Sequence, residues 1–139
     1  MNNNHFLVLS SFLFLVPIIY YIKNFNNNNF EIFLVFLLLM NFIFSGLFWK
    51  DGKYKSNIHK LDALSAKFSG VCFFLYFIFL KENCPKTRKF ILLLIMVCVL
   101  LLFYISDQCS KRSWCSRKHI IVHSIFHLSI MIATLYIFM

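Results

Sequence analysis

The chain reads as an all-α protein: a polytopic transmembrane bundle of about five helices, forming one domain over residues 1–139. Hydrophobic residues make up 60% of it, 19 residues are Phe, and the mean hydropathy is +0.75, well beyond the half-apolar make-up of a soluble domain. The apolar residues fall into five runs, near 6–22, 30–49, 63–80, 90–106 and 119–139. These runs are continuous rather than alternating, and five short strands could not close a membrane barrel.

The first run, "FLVLSSFLFLVPIIYYI", resembles a signal peptide only superficially. It lacks a positively charged start, carries Pro17 and large residues near its end, and has no small-x-small cleavage pattern, so it reads as the first membrane helix, kinked by Pro17. The tetra-Asn segment 26–29 then breaks the chain before the second run. A helix rising about 1.5 Å per residue needs roughly 17–25 residues to cross the hydrocarbon core. The first, second, fourth and fifth runs satisfy this directly. The third does so if Lys67 sits at its interfacial end and snorkels.

Charge in the short loops predicts orientation. Lys50, Lys53, Lys55, Lys60, Lys67, Lys111, Arg112, Arg117 and Lys118 fall on the side of the N-terminus, against Lys23, Lys81, Lys86, Arg88 and Lys89 on the other. Nine against five predicts a cytoplasmic N-terminus and a C-terminus across the membrane. The net charge of +9 is expected to act on anionic lipid head groups. A nucleic-acid partner is not expected, because the positive residues are spread over both faces without a reading motif.

Cys72 and Cys98 lie in apolar runs and read as small packing residues, while Cys84 stands alone in a loop. Cys109 and Cys115 share "SDQCSKRSWCSRK", a spacing open to a disulfide or to two metal ligands but matching no strong zinc signature. A cytoplasmic loop would keep both reduced.

With five antiparallel crossings, the end of helix 2, the start of helix 3 and the start of helix 5 open on one side of the bilayer. They carry Ser45, Trp49 and Asp51, then His59 and Asp62, then His119, His123 and His127 at intervals of four. Ionisable groups at that depth are costly unless they pair, line a cavity or bind something. Imidazoles at i and i+4 share a helix face and suit Zn²⁺, which in catalytic sites takes three protein ligands and a water. His123 and His127 would supply two ligands and His59, His119 or Asp62 a third, with the remaining acid orienting a ligand or taking the water's proton. The competing reading of the stripe is hydrogen bonding between helices. Ser45 beside Gly46 reads equally as a close-packing residue, Asn41 as a bond between helices, and Asp51 as a turn residue in "KDGK" with Gly52.

The segment "FSGLFWKDGKYKSNIHKLDALSAKFSG", followed in the last helix by "HSIFH", resembles the scattered signature of the CREST superfamily. That superfamily includes alkaline ceramidases, PAQR proteins and Per1-like GPI-remodelling proteins. The resemblance implies a divergent, shortened member in which Ser45 matches the family serine and Asp62 the aspartate opening the third helix. His123 and His127 match the final zinc-binding pair. It implies hydrolysis of a lipid amide or ester at zinc, with Ser45 positioning water or the oxyanion. Trp49 stands where the first zinc-binding histidine is expected, and the family has seven helices. His59 or His119 would then replace the missing ligand. The other class of function is a non-enzymatic scaffold, assembly or interaction protein, working with membrane lipids and with a membrane-protein partner or a second copy of itself.

Overall fold

The computed structural model describes residues 4–81 and 85–139, so Cys84 lies outside the described residues. Five helices among them are long and apolar enough to cross a membrane: α1 (His5–Lys23), α2 (Asn29–Asp51), α3 (Asn57–Leu80), α4 (Lys86–Arg112) and α5 (Arg117–Phe138). No strand occurs among the described residues.

Several boundaries differ from the apolar runs. The third helix begins at Asn57 rather than 63, and the fourth covers Lys86–Arg112 rather than 90–106. Hydropathy marks only what tolerates lipid, whereas a helix continues until its backbone groups find a cap. Lys67 therefore lies in the third turn of α3, exposed, and not at the helix end. Asp51 is likewise the last residue of α2 rather than part of the turn.

The ends are chemically explicit. Asn28, from the tetra-Asn segment, caps α2 by accepting the Phe30 N–H at 2.9 Å and the Glu31 N–H at 3.4 Å. Gly52 closes α2 at φ 59°, its N–H bonding to the Phe48 carbonyl at 2.7 Å; this left-handed geometry favours glycine. Ser56 and Ser116 cap α3 and α5. Pro17 does not break α1. Its ring crowds the carbonyl four residues back, at Leu13, and the helix tightens into a 3₁₀ turn over Phe12–Phe14. The last turn of α3, Tyr76–Leu80, widens to a π-turn, closed by the Lys81 N–H on the Tyr76 carbonyl at 2.8 Å.

α1 is wedged between two helical hairpins, packing on α2 and on α5. α3 lies against α2, and α4 against α5. Little apolar driving force separates helix from lipid, so contact shape and hydrogen bonds hold such a bundle. Side-chain hydrogen bonds cross each of the four packed pairs. Ser45 bonds to Ser11 (2.9 Å) between α2 and α1, and His127 to Ser10 (2.9 Å) between α5 and α1. Asn41 bonds to Ser65 (2.6 Å) between α2 and α3, and His123 to Ser106 (2.9 Å) between α5 and α4. α4 buries only Leu92, Val99 and Ser106, a single seam of residues seven apart, and leaves most of its other apolar side chains on the outer surface.

Glu31, 2% exposed, organises the end away from the N-terminus. Its Oε1 accepts the Tyr76 hydroxyl at 2.5 Å and lies 3.6 Å from the Lys81 ammonium, while its Oε2 accepts the Asn26 amide at 2.6 Å. The cations of the 81–89 segment also close helix ends. Lys81 donates to the Ile137 carbonyl, Arg88 to Tyr136 at 3.0 Å, and Lys89 to Ile78 at 2.9 Å.

Candidate functional site

The opposite end, where α1 and α5 begin and α2 finishes, gathers the histidines. Phe48, Trp49, Leu7 and Ile120 form its buried apolar cluster, with Ile58, Trp114 and Cys115 packed against it. The Trp49 and Trp114 rings stack at 5.5 Å, and the Trp114 indole N–H donates to the Gly52 carbonyl at 3.0 Å, tying the α4–α5 loop over the end of α2. Exposed Lys50, Lys53, Lys55, Lys60, Arg117 and Lys118 rim it.

His59 and His119 occupy the same device twice. In Ser56-x-x-His59 and Ser116-x-x-His119 the serine hydroxyl accepts the histidine's backbone N–H, at 3.2 and 3.3 Å. The imidazole turns back so that Nδ1 accepts the N–H of the residue before the serine: Lys55 for His59 at 3.2 Å, Cys115 for His119 at 3.3 Å. Lys55 and Cys115 both adopt left-handed backbone, φ 60° and 54°, which costs about 1–2 kcal/mol each for a side chain with Cβ. This is a relative of the capping box, with histidine at the position usually taken by Glu and reaching one residue further back, to the N–H before the N-cap serine. A neutral imidazole has one bare nitrogen. With Nδ1 accepting, Nε2 of His59 and of His119 carries the proton and has no lone pair for a metal.

The Ser10 hydroxyl lies 2.9 Å from both the Leu7 carbonyl and His127 Nδ1, and in the second pair either atom can donate. His123, half-buried, shares one proton with Ser106, and either atom can donate. The rings of His119 and His123 lie 5.7 Å apart and those of His123 and His127 4.6 Å apart.

Trp49 stands among them. Its indole, 1% exposed, meets His123 edge-on at 5.0 Å and His119 at 5.9 Å. Its Nε1–H is buried without an acceptor. Ser45, also buried, shares a hydrogen bond with Ser11, and His127 with the adjacent Ser10, so Ser45 and His127 are joined through α1. Asp62 is half-buried in α3 with no hydrogen bond or ion pair among the described residues. A shallow groove of about 290 Å³ lies between the end of α2 and the start of α3, lined by Phe48, Asp51, Lys53 and Ser56.

Two of the four imidazoles have their bare nitrogen committed to backbone N–H groups, and no three His, Cys, Asp or Glu side chains among the described residues are grouped to hold a metal ion. Cys109 and Cys115 are free thiols, and burial pushes the Cys115 thiol up from its ordinary value.

The sequence reading passed over Ser10, Ser11, Ser106 and Trp114. The signal for the serines was available: hydroxyls inside apolar runs bond across helices. Their partners were not, because each lies on another helix. Comparison of the chain with family models, with curated proteins and with solved structures finds no match.

Proposed function

We propose that this is a non-enzymatic multi-pass membrane protein, a small scaffold or interaction subunit with a CREST-like polar end and without a metal centre. The observation that carries this reading is the bonding of the histidines. His59 and His119 cap helices, while His123 and His127 join α5 to α4 and to α1, so each Nδ1 serves the architecture. The Trp49 indole, packed between His119 and His123, adds bulk and an N–H but no metal ligand. The outer faces of α3 and α4 stay apolar and face lipid or a neighbouring membrane helix.

Orientation follows the same reading: the N-terminus is cytoplasmic. Three of the five positive residues on the far side, Lys81, Arg88 and Lys89, are bonded to backbone carbonyls. The rim around Trp49 carries the solvated positive charge that the cytoplasmic leaflet favours.

Zinc per protomer, measured by elemental analysis in mild detergent, tests the function. The expected result is no stoichiometric zinc in the folded parent, with His123→Ala and His127→Ala lowering stability instead. About one zinc per protomer, lost in both variants at matched folding, overturns the scaffold reading in favour of the metal-dependent lipid hydrolase.

A further inference from the structure

We propose that the groove between the end of α2 and the start of α3 seats one phosphatidylethanolamine head group, with its phosphate on Lys53 and its ammonium on Asp51. Both side chains line this groove of about 290 Å³. They are two residues apart in the chain, so their Cα atoms lie at most about 7 Å from each other. Both are exposed, and neither has an ion-pair partner among the described residues. A cation and an anion left open on one groove match a ligand that carries the opposite charges a short distance apart. In phosphoethanolamine two carbons separate them.

The rest of the lining fits the rest of the lipid. Leu47, Phe48 and Ile58 give the groove an apolar wall, and Leu47 is 49% exposed. It lies four residues before the end of α2, about 6 Å along the axis, so the wall is on the hydrocarbon side of the two charges. Glycerol and the first methylenes of an acyl chain would cover it. The turn that presents the charges is pinned: Gly52, between them, has φ 59° and takes the Trp114 indole N–H on its carbonyl at 3.0 Å. The charge pair also selects among head groups. An anionic head group would set its charge against Asp51. A quaternary choline ammonium has no N–H to give to the carboxylate, whereas a primary ammonium has three. Exposed Lys50, Lys55 and Lys60 draw anionic surfaces towards this end of the molecule but do not line the groove.

The test uses the full chain in mild detergent, with retained lipid counted per protomer by native mass spectrometry. The probes are phosphatidylethanolamine, its N-methyl and N,N-dimethyl forms, phosphatidylcholine and phosphatidylglycerol, all with the same acyl chains. The expected result is one retained phosphatidylethanolamine, favoured several-fold over phosphatidylcholine, with retention falling at each added methyl. Asp51→Asn should bring phosphatidylethanolamine down to the level of phosphatidylcholine, and Lys53→Gln should weaken both. Lys86→Gln, at the other end of the molecule, should change neither. Three results overturn the proposal: equal retention of phosphatidylethanolamine and phosphatidylcholine; Asp51→Asn and Lys53→Gln variants that keep the parent's helix content and bind as the parent does; or phosphatidylglycerol retained above phosphatidylethanolamine. The last would assign binding to the net charge of the rim instead.

Discussion

Hydrogen-bond partners decide what each histidine is for. Four imidazoles near one membrane face look interchangeable by composition, yet two accept a backbone N–H and two bond to a serine hydroxyl on another helix. Cys115 shows the same dependence on a neighbour. Its N–H serves His119 and its thiol is half-buried beside the Trp49 cluster. Because burial raises the thiol's pKa, less thiolate exists at any given pH than for a free cysteine, whose pKa is about 8.5. In a variant retaining Cys115 alone, iodoacetamide alkylation at pH 8 should run slower than that of an unstructured cysteine peptide. The rate profile should be displaced to higher pH. A profile at or below that of the peptide would show that the thiol is not shielded.

Helices in this bundle are bounded by caps and joined by a few polar bonds. The two serine caps explain why α3 and α5 start before their apolar runs. The Pro17 ring tightens α1 without ending it, since one lost bond and one crowded carbonyl are absorbed by the 3₁₀ turn. Asn41 and Ser65 supply one bond between α2 and α3, near the middle of the pair, and Glu31 and Tyr76 another at its far end. Interhelical bonds of this kind are worth about 0.6 kcal/mol on average and at most about 1.7. A double-mutant cycle with Asn41→Leu and Ser65→Ala, read from denaturation in mixed micelles, should therefore give a coupling of about 0.5–1.5 kcal/mol. A coupling indistinguishable from zero would mean that shape, not the bond, holds this pair.

The molecule as a whole is polar at both ends in different ways. One end is closed by a saturated carboxylate, Glu31, and by cations laid on helix carbonyls; the other holds an aromatic cluster with an unmet N–H inside a basic rim. That asymmetry makes orientation testable. Single cysteines at Lys53 and at Lys86, in a background lacking the native thiols, should label from opposite sides of intact cells. Lys53→Cys should react only after the membrane is permeabilised and Lys86→Cys without it. The reverse pattern would put the histidine end outside the cytoplasm.

Five crossings, the side on which Ser45, His59, Asp62 and the histidine stripe open, and the serine, proline and glycine signals were all legible from residue order. They depend on local chemistry: the length of an apolar run, the geometry of a cap, the 3.6-residue period. Which helix lies beside which was not legible, nor that Ser10 would bond to a residue 117 positions away. Lipid-facing and helix-facing positions in such a chain are both apolar, so hydrophobicity does not choose the packed face. Only the fold, by bringing single hydroxyls, amides and imidazoles within bonding distance, decides which polar groups are spent on architecture and leaves the Trp49 N–H without an acceptor.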